Sequence, residues 1–217
     1  MDLPVGSYAD LSSEVVEPRI RSSEVVVKGR IFDLRRDVVD LGEHGEVTRE
    51  YLDHPGAVVI VALREVDGVD HVVMIRQYRH PVRTREWELP AGLLDVHGEA
   101  PALSAARELA EEVELRAERW DVVIDFFASP GSTSETLRVF LARDISTVTD
   151  ATFERTGEEA GITGLWVPLD DAYAAVLTGR IHNPGAVIGL MATWGARQRE
   201  WSTLRPADAP WPWYAGG

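Results

Sequence analysis

Short runs of β-branched and apolar residues alternate with polar ones over much of the chain. Three such runs lie between residues 23 and 54 and are typical of a small antiparallel sheet, or simply of the start of the main sheet. Two strongly apolar runs, 56–66 and 69–78, flank Asp67-Gly68, a dipeptide that favours a tight hairpin. The N-terminal part of the chain is therefore predicted to be mostly β-structure.

The rest of the chain alternates predicted strands with helices. In chain order we predict a helix at 101–113, strands at 120–128, 136–144 and 164–168, a helix at 169–178 and a helix from 183 to about 199. Pro101 suits the first turn of a helix, and Asp170 or Asp171 is the expected cap of the second helix. Strands that flank one long helix and two C-terminal helices predict an α/β/α sandwich around a mixed sheet.

Changes in composition divide the chain into four parts. Residues 1–20 are polar and predict a loosely held arm, and residues 21–54 predict a small β-sheet subdomain. Residues 55–200 form the predicted main domain. Residues 201–217 are rich in Pro and Trp and form either a disordered end or an extended arm packed by its Trp side chains.

Charge and composition narrow the classes of function. With 22 basic and 36 acidic residues, the formal net charge is −14. An acidic protein repels a phosphate backbone, so we expect no nucleic-acid partner, and a phosphate substrate would need a metal cation. There is no Cys, which excludes thiol catalysis and fits a reducing cytoplasm. Neither a signal peptide nor an apolar run near the roughly 20 residues of a membrane span is visible, so we expect a soluble protein with no membrane partner.

The predicted helix at 101–113 concentrates carboxylates on one face. At about 100° per residue, Glu108, Glu111 and Glu112 share a sector about 100° wide. The opposite face, predicted to meet the core, carries Leu103, Ala106, Leu109 and Val113. Like charges four residues apart weaken a helix by roughly 0.2–0.5 kcal/mol per pair, and the macrodipole disfavours acids at its C-terminal end. A bound Mg²⁺ would offset both penalties; the alternative is a solvated acidic face.

The helix is part of a longer motif that resembles the Nudix box. The family pattern is Gly, five residues, Glu, seven residues, Arg-Glu, an aliphatic residue, any residue, Glu-Glu, any residue, Gly and an aliphatic residue. The segment from Glu99 to Glu112 matches it in full. However, six residues separate Gly92 from Glu99, and Glu114 stands where the family has Gly. A non-Gly residue in the left-handed conformation costs roughly 1 kcal/mol, so either Glu114 is strained or the helix ends differently.

The resemblance implies a metal site and a reaction. Its metal ligands would be Glu108 and Glu112, with Glu111 third and the backbone carbonyl of Ala91 beside them. Arg107 is expected to hold the acidic cluster by ion pairs. The implied reaction is attack of water on a phosphorus of a nucleoside diphosphate joined to another group, assisted by two or three Mg²⁺ ions, or Mn²⁺.

Further features resemble the ADP-ribose pyrophosphatase group of that family. The sheet at 21–54 resembles the group's N-terminal sheet, which implies a homodimer through it. Arg79 resembles a phosphate-binding Arg, and Pro130 lies 15 residues beyond Leu115, as in the group. Glu88 either binds the substrate or packs its loop.

The acidic connection at 146–161 resembles the mobile loop that supplies a catalytic Glu in this group. Glu158 or Glu159 would then be the general base, and Glu111 is the next candidate. Long connections without regular structure are uncommon unless they are functional or disordered.

These resemblances imply hydrolysis of the diphosphate bond of ADP-ribose to AMP and ribose 5-phosphate. One alternative is a Nudix hydrolase of another nucleotide sugar or of a nucleoside triphosphate. Another is a catalytically silent Nudix domain that binds a nucleotide as a sensor. The intact carboxylates of Glu108, Glu111 and Glu112 argue against a silent domain.

Overall fold

The N-terminal strands form a sheet of their own. The computed structural model describes residues 3–149 and 161–214. Its first sheet is antiparallel in the order β1 (Ile20–Val27), β2 (Asp33–Asp40), β3 (Glu46–Asp53). The prediction of a small separate sheet is therefore confirmed, and these strands do not begin the main sheet. Residues 3–19, which precede it, are exposed throughout.

The second sheet is mixed and larger. Its strands are β4 (Ala57–Val66), β5 (Val69–Arg79), β6 (Thr84–Glu88), β7 (Ala91–Leu93), β8 (Leu115–Phe127), β9 (Thr136–Thr147), β10 (Thr163–Pro168) and β11 (Arg205–Pro206). The order is β10-β5-β4-β9-β8-β11, with β6 paired to β5 and β7 to β4. Only β4 and β9 run parallel among the described pairs. β8 and β9 are longer than predicted because their ladder runs on to Leu115 and Thr147, over polar residues that obscure the strand pattern.

Helices cover both faces of this sheet. They are α1 (Pro101–Val113), α2 (Leu169–Leu177) and α3 (Pro184–Arg197). Alternate residues of β4 face opposite ways: Val58 and Ile60 pack in the α1 cluster, whereas Val59 and Val61 pack in the cluster of α2 and α3. A strand buried on both faces explains the unbroken apolar run in the sequence. The predicted α/β/α sandwich is confirmed.

Two local predictions about helices were wrong. Leu103 was expected to face the core, but it is 64% exposed. The buried positions of α1 are Ser104, Ala105, Leu109 and Glu112. Leu109 is buried as predicted, but the helix is rotated from the expected orientation, so that Ser104 and Glu112 share its buried face and Leu103 does not. This rotation brings Glu112 into the interior.

The second wrong prediction concerns the start of α2. Its N-cap is Pro168, and Asp170 and Asp171 lie within its first turn. The cause is that β10 runs directly into α2, so no residue remains for a separate cap. Asp170 instead accepts a hydrogen bond from Trp194 Nε1 at 2.8 Å. In contrast, Asn183 caps α3 by accepting a hydrogen bond from the Ala186 amide.

The described part of the C-terminal tail is packed against the main sheet. β11 pairs with Val122 and Asp121 of β8. Trp211 and Tyr214 stack with ring centroids 5.0 Å apart. Of the two alternatives for this tail, the packed arm is correct for residues 205–214.

A loop joins the two sheets. The Leu52 amide donates to the Ser132 carbonyl at 2.9 Å, and the Ser134 amide donates to the Leu52 carbonyl at 2.9 Å. The His54 amide donates to Ser134 Oγ at 2.8 Å. The loop at 129–135, which contains Pro130, therefore holds the end of β3 beside the main domain.

The four-part division of the chain stays a prediction. Within the residues described, no helix is long and apolar enough to cross a lipid bilayer.

Candidate active site

The candidate site is built where β7 meets α1. β7 pairs with the first residues of β4, Val59 opposite Ala91 and Ala57 opposite Leu93. The Ala91 amide donates to Glu112 Oε2 at 3.0 Å, and Glu112 is only 7% exposed. A buried carboxylate needs such a partner, because leaving it without one would cost several kcal/mol. The helix and the short strand are thus joined through one acidic side chain.

Gly92 makes room for a second carboxylate. A Cβ at this position would lie 2.0 Å from Glu108 Cδ and 2.3 Å from Glu108 Oε1. Any larger residue would push Glu108 away from β7. This close approach gives a physical reason for the glycine that opens the motif.

Arg107 ties together the carboxylates that surround it. Its Nη1 donates to Glu108 Oε1 at 2.6 Å and to Glu111 Oε2 at 3.1 Å. Its other edge donates to Glu99, with Nη2 3.2 Å from Oε2. The hydrogen bond to Glu99, together with the charge of Glu108, raises the pKa of Arg107 above its ordinary value. The expected ion pairs are present, and one guanidinium faces three carboxylates.

The donor set fits a hard divalent cation. All the side-chain donors are carboxylate oxygens, and Mg²⁺ prefers oxygen ligands. Within residues 3–149 and 161–214, no group of three or more His, Cys, Asp or Glu side chains already stands in an arrangement that would hold a metal. Arg107 donates hydrogen bonds to Glu108 and Glu111, and the Ala91 amide donates one to Glu112. Each carboxylate has about four acceptor sites, so these hydrogen bonds leave capacity to bind a cation.

Arg79 and Glu88 form one unit. Arg79 Nε donates to Glu88 Oε1 at 2.8 Å, and Nη2 donates to Oε2 at 2.7 Å. The Glu88 side chain is 2% exposed and that of Arg79 is 42% exposed. A buried carboxylate thus fixes a partly exposed guanidinium by a bidentate pair. The sequence suggested both residues but not their pairing. Glu88 lies opposite Ile75 and Arg79 lies opposite Thr84, so the two side chains meet diagonally across β5 and β6.

The two departures from the family motif are both resolved. Glu114 adopts the left-handed conformation, with φ 57° and ψ 38°, so the strained alternative holds. The extra residue before Glu99 lies in a turn where Gly98 has φ 78° and the Glu99 amide donates to the Val96 carbonyl. Glu158 and Glu159, the predicted base candidates, lie outside the described residues.

A cavity of about 210 Å³ opens between α1 and β10, next to the carboxylates. Glu112 lines it together with Ile162 and Trp166. Ile162 and Trp166 were missed by sequence reasoning. A short strand after an irregular segment gives no sign that it will lie beside the acidic helix.

Comparison with known proteins decides the family. The sequence model of the NUDIX domain matches residues 53–186, more than half of the chain. This chain belongs to the Nudix family. An ADP-ribose pyrophosphatase of Mycobacterium tuberculosis (strain ATCC 25618 / H37Rv) is 45% identical over 190 residues, covering 88% of this chain and 89% of the relative.

Two further relatives of this Nudix chain are more distant. An ADP-ribose pyrophosphatase of Bacillus subtilis (strain 168) is 30% identical over 168 residues, covering 77% of this chain and 88% of the relative. A methanol dehydrogenase activator of Bacillus methanolicus is 30% identical over 177 residues, covering 82% and 92%. A solved structure described as an ADP compounds hydrolase superposes with a TM-score of 0.67 at 22% identity, covering 88% of this chain and all of that one. At that identity it supports the fold alone.

Proposed function

We propose that this Nudix protein hydrolyses the diphosphate bond of ADP-ribose to AMP and ribose 5-phosphate, with Mg²⁺, or alternatively Mn²⁺, as cofactor. The observation that carries the proposal is the junction of β7 and α1, where Arg107 pairs with Glu99, Glu108 and Glu111 while Glu112 is held by the Ala91 amide, which leaves an excess of negative charge. The choice of ADP-ribose is supported by the names of the relatives at 45% and 30% identity.

The metal ligands in this proposal are Glu108, Glu111, Glu112 and the backbone carbonyl of Ala91. When bound, the cation neutralises phosphate oxygens and makes water a better nucleophile. Gly92 lets Glu108 lie against β7, and the Ala91 amide orients Glu112. Arg107 reduces the repulsion between the carboxylates and keeps Glu108 and Glu111 on the same side of the helix.

Arg79 would bind a phosphate of the substrate, and Glu88 would orient it. A guanidinium suits phosphate because it is planar, always charged and donates several hydrogen bonds. The bidentate pair with buried Glu88 fixes its orientation before any ligand arrives. Preorganisation of this kind lowers the entropy lost on binding.

Glu158 or Glu159 would act as the general base, with Glu111 as the next candidate. Changing both loop residues to Gln should lower kcat by about 10²–10⁴-fold, the usual contribution of general-base catalysis. Metal affinity should change less, whereas Glu108→Gln should weaken it directly. Rates measured across a Mg²⁺ titration separate the two effects. Full rescue at high Mg²⁺ would make the loop a metal ligand, and an unchanged kcat would place the base elsewhere.

A homodimer through residues 21–54 is also proposed. All eight residues of β1 are exposed, and this edge strand carries apolar side chains, among them Ile20, Val25 and Val27. An exposed edge of this kind is a template for pairing with another chain. Small-angle scattering at micromolar concentration should give twice the monomer mass of 24.0 kDa. A monomer mass would refute the dimer.

A cytoplasmic location stays a prediction.

The function itself is tested with a panel of substrates. ADP-ribose, ADP-glucose, diadenosine polyphosphates and NADH are incubated with Mg²⁺, and the products are identified by chromatography. The largest kcat/KM is expected for ADP-ribose, with AMP and ribose 5-phosphate as products. Faster cleavage of another compound would reassign the substrate. Tight nucleotide binding without cleavage of any compound would support a sensor.

A further inference from the structure

The C-terminal segment at 205–214 crosses the main sheet and ends beside the candidate active site. It begins as β11 on the edge of β8. Ala207, Ala209, Trp211 and Tyr214 then pack against the apolar cluster that contains Leu94, Ala105 and Leu109. Two of these three, Ala105 and Leu109, belong to α1, the helix that carries the acidic face. The segment therefore packs against the same apolar cluster as the buried face of the acidic helix.

A buried ion pair anchors this segment. Arg138 of β9 and Asp125 of β8 have side chains that are 3% and 7% exposed, and Arg138 Nε lies 2.7 Å from Asp125 Oδ1. Arg138 also donates to the carbonyls of Ala209 at 2.7 Å and Pro210 at 3.0 Å. Its guanidinium carbon lies 4.6 Å from the ring centroid of Trp211. One buried side chain thus fixes three consecutive residues of the segment.

Tyr214 lies next to the end of β7. A Cβ built on Gly56 would lie 3.5 Å from Tyr214 Cε2 and 3.5 Å from Leu94 Cδ1, so both side chains border the same small space. The Leu94 amide donates to the Gly56 carbonyl at 3.0 Å, which extends the pairing of β7 with β4 by one residue. Leu94 directly follows the strand that contains Ala91 and Gly92. Tyr214 is therefore placed to hold that strand in its register.

We propose that residues 205–214 are a positioning element for β7, in which Tyr214 keeps Leu94 against Gly56 and so fixes the strand that presents the Ala91 carbonyl and accommodates Glu108. The proposal rests on the function proposed above for β7. Residues that orient metal ligands without touching the metal typically change its affinity by about 10–100-fold. Tyr214 acts on the strand that carries a ligand and not on the ligand itself. We therefore expect that replacing Tyr214 weakens metal binding by a smaller factor, about 3–10-fold.

The first test needs no catalytic turnover. Amide hydrogen exchange is compared in wild type, Tyr214→Ala and Tyr173→Ala. Tyr173 is a matched control, since it is also a partly buried aromatic, stacked on Trp194 at 4.3 Å, but lies on α2. Exchange at residues 91–94 should be at least about fivefold faster in Tyr214→Ala and unchanged in Tyr173→Ala. Equal protection of 91–94 in all three proteins would overturn the proposal.

The second test measures metal affinity directly. Free Mn²⁺ is quantified by electron paramagnetic resonance while each protein is titrated without substrate. Tyr214→Ala should bind Mn²⁺ about 3–10-fold more weakly, and Tyr214→Phe should lie within about twofold of wild type. Unchanged affinity in Tyr214→Ala would overturn the proposal. If that variant fails to fold, Tyr214→Leu, which keeps an apolar side chain, is measured with the same criteria.

The outcomes separate this inference from the proposed function. A wild-type protein that binds Mn²⁺ but does not cleave ADP-ribose would refute the substrate and leave the positioning role standing. A protein that cleaves ADP-ribose, with Tyr214→Ala identical to wild type in both tests, would refute the positioning role alone. A wild type that binds no Mn²⁺ would overturn both.

Discussion

Two arginines in this molecule form ion pairs within clusters of opposite net charge. Arg138 pairs with Asp125 in the interior, Arg205 adds a second cation to the same carboxylate, and two backbone carbonyls take the remaining donors. Arg107, in contrast, is about a third exposed and faces Glu99, Glu108 and Glu111. The first cluster has at least as much positive as negative charge, whereas the second has an excess of negative charge.

The difference indicates which cluster is structural and which is poised for a ligand. In the buried pair, each of the three Arg138 side-chain nitrogens is hydrogen-bonded within the protein, and removing one partner leaves the other charge buried without a counterion. A cluster with surplus carboxylates is electrostatically unfavourable by itself, and a cation would relieve it. Charge balance, more than the number of ion pairs, therefore distinguishes the two.

The largest expected effect is on the acidic cluster. Glu112→Gln should lower kcat by about 10³-fold or more, because metal ions contribute several kcal/mol of charge stabilisation and each 1.36 kcal/mol is tenfold in rate. The melting temperature without metal should rise slightly, since one of the repelling carboxylates is gone. Steady-state kinetics and a thermal scan measure both. Glu118→Gln removes the same charge from an exposed site and is the control. Near-wild-type turnover in Glu112→Gln would mean that Glu112 has a structural role and is not a metal ligand.

The next effect concerns the balanced cluster. Arg138→Met should reduce the free energy of unfolding by about 3 kcal/mol, because Asp125 loses its buried partner and keeps only Arg205. Urea denaturation measures the change. In the folded protein, kcat should fall less than tenfold, because the C-terminal segment loses its anchor at Arg138 and no longer positions β7. A stability loss below about 1 kcal/mol would show that this pair is dispensable and would remove the contrast between the clusters.

A third prediction concerns Gly92, whose missing side chain leaves room for the Glu108 carboxylate. Gly92→Ala should weaken Mg²⁺ activation by about tenfold, since the new methyl group displaces Glu108 from β7. Stability should change little, because the end of a Glu side chain can turn away. Gly131→Ala is the control, as a Cβ there meets nothing within 4 Å. Identical Mg²⁺ dependence in Gly92→Ala and wild type would argue against Glu108 as a ligand.

The smallest effect is at the end of α1. Glu114→Gly should stabilise the protein by up to about 1 kcal/mol, because glycine adopts the left-handed conformation without strain. Glu114→Ala removes the same side chain but keeps the strained backbone, so the difference between the two variants isolates the strain. Thermal unfolding of the three proteins measures it. Equal melting temperatures for Gly and Ala at this position would contradict the assignment of strain.

The sequence predicted the strands and helices well wherever the pattern is local. The hairpin at Asp67-Gly68 and the bounds of α1 depend on turn chemistry and helix periodicity, and both were correct. The core-facing side of α1 was predicted only in part: Leu109 is buried, but Leu103 is exposed. Helical periodicity gives the relative positions of residues around the helix but not how the helix is rotated against the sheet. That rotation depends on β7, whose Ala91 amide draws Glu112 inward.

The candidate site was predictable in its residues but not in their pairing. The spacing of Glu108, Glu111 and Glu112 is visible in the sequence, as is Arg107. Glu88 and Arg79 lie on neighbouring strands but four positions apart in the ladder, so the strand pattern does not show that they pair. Tyr214 borders the space at Gly56, from which more than one hundred residues separate it in the sequence. Long-range contacts of this kind leave no periodic signal.

The loop at 129–135 has a consequence for how the molecule tumbles. Because Leu52 both donates to and accepts from this loop, the small sheet cannot swivel on a flexible tether without breaking two backbone hydrogen bonds. A fluorophore attached at Arg36 of β2 should therefore show one slow rotational correlation time, that of the whole particle. Ser134→Pro, which removes one of those donors, should add a faster component to the anisotropy decay.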